Sequence, residues 1–193
     1  MVVGGHSRRV GKSSVMEAIL RETPELAWHA LKISRRGHHP GTGAASGRGF
    51  AGQTERYLRA GASCAALLRL PDEALAAGLG AVRRILGTGG NVLAESNRLV
   101  RHAEADLVIF AIDPANPDWK ESSWECLARA DAVVLARPGA PPAAFPRLRR
   151  TLPIFAFDHW SGTPPGFAAW LRGRLAERLS NSRERRDSEP ACC

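Results

Sequence analysis

The sequence predicts a single α/β domain with a mainly parallel sheet and helices on both faces. Short apolar segments alternate with segments of helical periodicity along most of the chain. Strands that are joined by helical crossover connections form a parallel sheet. The 193 residues are enough for one domain with a substantial core. The chain also opens with a short apolar strand that runs directly into a glycine-containing loop and a helix.

That loop has the composition of a phosphate-binding loop, and residues 2–14 read VVGGHSRRVGKSS. The usual pattern is G-x-x-x-x-G-K-[ST], but here the first glycine, Gly5, stands one residue further from Gly11. In such loops backbone N–H groups surround an anion at a helix N-terminus, a lysine reaches the outer phosphates, and a hydroxyl binds Mg²⁺. The residues predicted to bind phosphates are Gly5, His6, Ser7, Arg8, Arg9, Val10, Gly11, Lys12, Ser13 and Ser14. The alternative is an ordinary strand-to-helix turn with a solvated Lys12.

The fold class is therefore refined to a P-loop NTPase fold, and the remaining elements follow in order. The helix after the loop covers residues 12–22, with Pro24 just past its end, and a largely apolar strand covers residues 27–33. Thr54 is expected to cap a short helix at 55–60, which is followed by a strand at 63–70. Pro71 begins a helix that reaches residue 86 before a glycine-rich stop.

The second half continues the alternation of strands and helices. Strands are predicted at 91–95, 106–113, 132–136 and 153–157, and helices at 122–129 and 167–179, with a short basic helix after Pro146. Residues 181–193 have no apolar period, so we expect a disordered tail after a domain of residues 1–180.

Residues 34–52 contain six glycines and are polar, which predicts a flexible loop without regular structure. Loops of this length in compact domains are usually lids, binding loops or disordered segments. The loop contains His38 and His39, which lack a partner at a metal-binding spacing. We interpret both as solvated or substrate-contacting residues.

Composition excludes several function classes. The net charge of +8 comes mainly from scattered arginines, and with a single tyrosine it does not favour a nucleic-acid partner. No apolar run approaches the roughly 20 residues of a membrane helix, and the start lacks a basic leader, so we expect a cytoplasmic protein. Cys64 and Cys126 lie in apolar segments, and the Cys192-Cys193 pair ends the tail. This spacing indicates neither a disulfide framework nor a zinc site.

Polar residues at strand ends supply the rest of the predicted site. Ligands of such sheets bind outside the carboxyl ends of the strands, where Lys32 and Glu95 end two of them and Asp113 ends a third. An acidic residue there suits Mg²⁺. Glu95 is the first choice and Asp113 the second, because Asp-Pro is also an ordinary turn opener. The predicted metal ligands are thus Ser13, Glu95 and Asp113.

These residues resemble two families. The long loop, Lys32 and Glu95 are similar to dethiobiotin synthetase. The sequence is still more similar to the molybdopterin-guanine dinucleotide biosynthesis protein B family, in which a lysine precedes histidines, as Lys32 precedes residues 38–39. A segment ending Arg-x-x-x-Ala-Gly-Ala is matched by residues 56–62. The resemblance covers residues 1–137. It implies that Lys12, Ser13, Lys32 and Glu95 act on nucleotide phosphates and Mg²⁺, with Arg56 near the ligand.

The resemblance implies a Mg²⁺-dependent protein that binds ATP or GTP, as an NTPase or accessory protein in molybdopterin-type cofactor biosynthesis. Lys12, Lys32 and Glu95 are the predicted catalytic residues. The alternatives are an ATP-dependent ligase or kinase acting on a small acidic substrate, and a nucleotide-dependent switch that binds a partner protein. No Asn-Lys-x-Asp motif follows the sixth strand, so the base stays open. A pterin cofactor, a partner enzyme and a second copy of the chain are the partners left open.

Overall fold

The computed structural model describes residues 1–34, 42–45, 52–86, 90–138, 152–157 and 162–188. They form one eight-stranded sheet and five α-helices. The strands are β1 (Val2–Gly5), β2 (His29–Ser34), β3 (Thr42–Ala45), β4 (Cys64–Arg69), β5 (Val92–Glu95), β6 (Val108–Ile112), β7 (Ala132–Leu135) and β8 (Ile154–Ala156). The helices are α1 (Lys12–Glu22), α2 (Gln53–Arg59), α3 (Leu75–Leu86), α4 (Glu121–Ala128) and α5 (Phe167–Ser188).

The sheet confirms the predicted fold class. Its strand order is β3-β4-β2-β5-β1-β6-β7-β8, and seven of these strands are parallel. Strand β1 lies in the centre between β5 and β6, in a register that places Val3 opposite Glu95 and Gly5 opposite Ala111. The loop after β1 therefore leaves the middle of the sheet at the edge where the parallel strands end.

Helices cover both faces of the sheet, as expected. Adjacent residues of β1 point to opposite faces, so Val3 belongs to one buried cluster and Val2 to the other. The first cluster packs α1, α2 and α5 on the sheet, and the second packs α3 and α4 on it. Two apolar layers thus hold the central strands, whose near-continuous burial is typical of parallel sheets.

Several predicted boundaries are wrong in detail. Strand β2 begins at His29, because Ala27 adopts a left-handed conformation (φ 46°) after a turn of 3-10 helix at Pro24–Leu26. Helix α2 begins at Gln53 with Gly52 at its N-terminus, so Thr54 lies buried inside the helix and does not cap it.

The glycine-rich segment also contains a strand that was not predicted. Residues Thr42–Ala45 form β3, which pairs antiparallel with β4 at the edge of the sheet. Main-chain hydrogen bonds make this pairing, so Gly and Ala can take part although their side chains give no periodic signal. His38 and His39 lie outside the described residues, as does the basic helix predicted after Pro146.

The C-terminal helix extends beyond the segment that has apolar residues at helical spacing. Helix α5 continues to Ser188, so the expected disorder is corrected for residues 181–188, while 189–193, with the Cys192-Cys193 pair, lie outside the described residues. The apolar residues of its first half pack on the sheet, and the polar remainder continues the same backbone hydrogen-bond ladder. None of the helices in the described ranges is both long and apolar enough to span a membrane.

The aromatic contact between α5 and the edge of the sheet gives a test of the fold. Phe167 is fully buried, and its ring centroid lies 5.3 Å from that of Phe155 and 5.9 Å from that of Phe157. We expect Phe167→Ala to lower the free energy of unfolding by about 3–5 kcal/mol, because it leaves a cavity. Ile154→Ala, at a position 46% exposed, should change it by about 0.5 kcal/mol. Similar losses in urea denaturation of both variants would contradict the packing described here.

Candidate functional site

The carboxyl edge of the sheet brings together the residues that the sequence placed at strand ends. Lys32 on β2 is in register with Glu95 on β5, and Glu95 is in register with Val3 on β1. Two residues beyond Val3 the chain enters the loop. The two charged side chains stand at the base of the loop because β2, β5 and β1 run parallel and hold these residues in register near their carboxyl ends.

Glycine is required where the loop leaves β1. A Cβ atom at Gly5 would lie 2.9 Å from the Ala111 carbonyl oxygen and 2.7 Å from a methyl carbon of Val10, closer than real side chains approach. The main chain of β6 and the Val10 side chain therefore leave no room for any residue other than glycine at position 5. The loop ends at Gly11, whose left-handed φ of 86° directs the chain into α1.

Asn97, two residues beyond the end of β5, holds the start of the loop. Its amide oxygen accepts a hydrogen bond from the Gly5 N–H at 2.7 Å, and its amide nitrogen donates to the Gly5 carbonyl at 2.8 Å. The Ser123 hydroxyl, on α4, donates to the His6 carbonyl at 2.8 Å. Side chains from two other elements therefore fix the backbone at the entrance to the loop.

Lys12 folds back over the loop. Its ammonium donates to the Ser7 carbonyl oxygen at 2.7 Å, which leaves two N–H groups for another acceptor. Burial lowers the pKa of Lys12 to about 8. The negative charge of Glu95 opposes this shift, and the positive charges of Lys120 and Lys32 reinforce it. A phosphate next to this ammonium would favour its charged form.

The carboxylate of Glu95 is the centre of a buried hydrogen-bond network. The Ser13 hydroxyl donates to one oxygen at 2.8 Å, Lys32 donates to the other at 2.7 Å, and the buried Tyr57 hydroxyl donates to the same oxygen as Ser13. Burial alone would raise the pKa of Glu95, but the Lys32 charge and the three hydrogen bonds lower it below its ordinary value. Glu95 is therefore held as a carboxylate.

The residues around Glu95 fit a Mg²⁺ ion that keeps most of its ligands from phosphates and water. Ser13 gives its one hydroxyl proton to Glu95, so both of its oxygen lone pairs are available to a cation. Mg²⁺ prefers oxygen ligands and commonly takes only one or two from the protein. No three His, Cys, Asp or Glu side chains of the described residues form a metal cluster.

Asp113 does not join this group. Its carboxylate pairs with Arg137 at 2.9 Å and accepts the Ala115 N–H at 3.0 Å, which makes it a turn residue held by an ion pair. It is not among the residues that line the cleft around Lys12. The structure therefore separates Asp113 from Ser13 and Glu95, and its predicted role as a metal ligand is corrected.

A cleft of about 1040 Å³ opens above the loop. Eight basic side chains line it against two acidic ones; the basic residues are Arg8, Arg9, Lys12, Lys32, Arg56, Arg98, Arg101 and Lys120. Ser13 and Ser14 also line it, whereas His6 and Val10 are buried beneath the loop and do not line it. The excess of positive charge suits an anionic ligand such as a polyphosphate.

Arg56 lies at the rim of the cleft. It forms an ion pair with Glu17 of α1 at 2.5 Å, which ties α2 to the helix that follows the loop. Its neighbour Tyr57 reaches Glu95 from the same helix. The segment that resembles the protein B family thus places one side chain at the cleft and one at the buried carboxylate.

Sequence reasoning missed Tyr57, Asn97 and Ser123. Tyr57 had a usable signal, since it stands next to the predicted ligand residue Arg56. Asn97 had a weaker one, as it lies two residues beyond Glu95. Ser123 had none, because its position depends on how α4 packs beside β1.

The fold and the loop define the class: a single α/β domain with a P-loop NTPase-like fold. Among solved structures, the "apo" form of LpxK from Aquifex aeolicus, in complex with ATP, is similar with a TM-score of 0.50 and 18% identity over 80% of this chain and 52% of LpxK. The chain thus spans about half the length of LpxK.

A MobB protein homolog from Bacillus stearothermophilus is more distantly similar, with a TM-score of 0.42 and 18% identity over 91% of this chain and 97% of that one. No protein-family model matches the chain, and no curated protein sequence matches it. At this identity, the likeness to LpxK establishes the fold alone.

The clamp on Gly5 can be tested through stability. Asn97→Ala leaves the Gly5 N–H and carbonyl without their side-chain partner, so we expect a loss of about 1–3 kcal/mol in the free energy of unfolding. Asn116→Ala is the control. Its amide oxygen accepts an exposed hydrogen bond from the Asp118 N–H, so its loss should lower the free energy of unfolding by about 0.5 kcal/mol. Equal effects of the two substitutions in chemical denaturation would contradict the proposed clamp.

Proposed function

We propose that the chain is a Mg²⁺-dependent P-loop protein that binds and hydrolyses a nucleoside triphosphate, ATP or GTP. The observation that carries the proposal is the contact of Ser13 and Lys32 with the buried carboxylate of Glu95, whose charge also acts on the ammonium of Lys12. A phosphate chain needs donors and cations on one side and a metal-binding oxygen pair on the other. This site offers both at the end of one sheet.

Each residue has a distinct part in this proposal. The N–H groups of the loop and of the first turn of α1 bind the inner phosphates, and Lys12 exchanges the Ser7 carbonyl for a phosphate oxygen. Lys32 reaches the outer phosphate from β2. Ser13 and Glu95 would hold Mg²⁺, which supplies charge neutralisation of the phosphates when bound.

The biological setting rests on the sequence resemblance. Lys32, Glu95 and the segment at 56–62 resemble the molybdopterin-guanine dinucleotide biosynthesis protein B family. We therefore place the chain as an NTPase or accessory protein in molybdopterin-type cofactor biosynthesis, working with a pterin cofactor or a partner enzyme. Turnover that is stimulated by a partner protein supports this setting.

A second candidate is phosphoryl transfer to a small acidic substrate, by a kinase or ligase. The size of the cleft favours it, because about 1040 Å³ is at the upper end of small-molecule sites. The excess of basic over acidic side chains in its lining also suits an acidic substrate. Turnover that is stimulated by a small anionic metabolite, and not by a protein, supports this candidate.

Lys12→Ala tests phosphate binding. The substitution removes a charge-assisted contact to the phosphates, so we expect nucleotide affinity in calorimetry to fall by at least about a hundredfold. The fold should persist, since Lys12 belongs to neither apolar cluster. Arg21→Ala removes a charge from an exposed position on the same helix and should leave affinity unchanged. Unchanged affinity in folded Lys12→Ala protein would refute the phosphate-loop interpretation.

Glu95→Gln tests the metal-dependent step. It preserves the shape and removes the charge, so we expect nucleotide affinity within a few-fold of the original and Mg²⁺-dependent turnover reduced about a hundredfold or more. The double variant Glu95→Gln, Lys32→Met also removes the lysine left without its counter-ion, and it should recover melting temperature but not turnover. Normal turnover in Glu95→Gln would rule out Glu95 as the acidic residue.

A further inference from the structure

Two adjacent arginines in the phosphate loop differ from the other arginines of the cleft. Arg8 and Arg9 are exposed, and neither forms a hydrogen bond or ion pair within the described part of the chain. The remaining cleft arginines are each paired with a carboxylate: Arg56 with Glu17, Arg98 with Asp72, and Arg101 with Glu125. Those three guanidinium groups are committed to the fold, whereas the two in the loop are available to a ligand.

The backbone distinguishes Arg9 from Arg8. Arg9 has a φ of 59°, and Ala27 is the other described non-glycine residue with a positive φ. A Cβ atom makes this left-handed conformation unfavourable, so glycine is the residue that fits it without strain. The loop needs this conformation to turn towards Gly11, yet an arginine occupies the position.

Strain that is kept at such a position points to a use for the side chain. The Arg9 side chain is exposed and forms no hydrogen bond or ion pair within the described residues, so burial and pairing do not account for an arginine there. Its location does: Arg9 lines the same cleft as Lys12 and Lys32. Residues held in unfavourable backbone conformations concentrate at ligand sites, where the surrounding structure enforces them.

We propose that the Arg9 side chain binds the terminal phosphoryl group of the nucleoside triphosphate in the cleft. This inference rests on the proposed function and adds a residue to it. A guanidinium can bind two phosphate oxygens at once, which an ammonium cannot do with the same geometry. Lys12 and Lys32 approach the phosphates from α1 and β2, and Arg9 approaches them from the loop itself.

The test combines stability with nucleotide affinity in four full-length proteins: the original chain, Arg9→Gly, Arg9→Lys and Ala27→Gly. Ala27→Gly is the matched control, because it relieves the same kind of backbone strain outside the cleft. Melting temperature is measured without nucleotide. Dissociation constants for ATP, ADP, GTP and GDP are measured by calorimetry with Mg²⁺.

We expect both glycine variants to keep or raise the melting temperature, by up to about 2–4 °C. Arg9→Gly should weaken triphosphate binding by at least about tenfold and diphosphate binding much less, while Ala27→Gly changes neither. Arg9→Lys should recover part of the lost triphosphate affinity, since it restores the charge without the two-point contact.

Three outcomes overturn the assignment of Arg9. They are unchanged triphosphate affinity in Arg9→Gly, an equal loss for triphosphate and diphosphate, and a fall in melting temperature in Arg9→Gly but not in Ala27→Gly. The failure of the proposed function is recognised separately, because then the original chain binds neither ATP nor GTP. If the original chain binds and Lys12→Ala does not, a negative result at Arg9 overturns this inference alone.

Discussion

The buried carboxylate of Glu95 is the interaction on which the site depends. An ionised carboxylate that is 6% exposed is costly unless donors replace the water it has lost. Ser13, Lys32 and Tyr57 supply these donors from α1, β2 and α2. One charge thus fixes the relative positions of three elements and keeps a hydroxyl and an ammonium at the mouth of the loop. Because satisfied buried networks are rigid, the loop is held before any ligand arrives.

The same network connects the loop to α2. Tyr57 and Ser13 donate to one oxygen of Glu95, so a change in the contacts of either residue alters the hydrogen bonding of the other. The Arg56 to Glu17 ion pair joins the two helices a second time, at the rim. Helix α2 directly follows the glycine-rich segment at 34–52. Two side-chain contacts therefore fix α2 to β5 and to α1.

The sequence predicted the features that local rules determine. Alternating apolar segments fixed the order of strands and helices, and the ends of parallel strands correctly brought Lys32 to Glu95, since such ends share one edge. Asp113 also lies at the end of a parallel strand, but it pairs with Arg137, which follows β7. The sequence does not predict this pairing, because it depends on how the two segments pack. Asn97 and β3 depend on tertiary pairing, and neither leaves a periodic pattern. The roles of the loop residues in phosphate binding stay predictions.

The electrostatics of the cleft explain why so many cations can be held together. Four of the eight are neutralised locally: Glu95 balances Lys32, and acidic side chains outside the lining balance three arginines. Among the described residues Lys12 forms no ion pair, and burial lowers its pKa to about 8. An anion beside Lys12 would oppose that effect and favour the charged ammonium. An anionic ligand that binds the folded chain beside Lys12 would also stabilise it against unfolding by mass action.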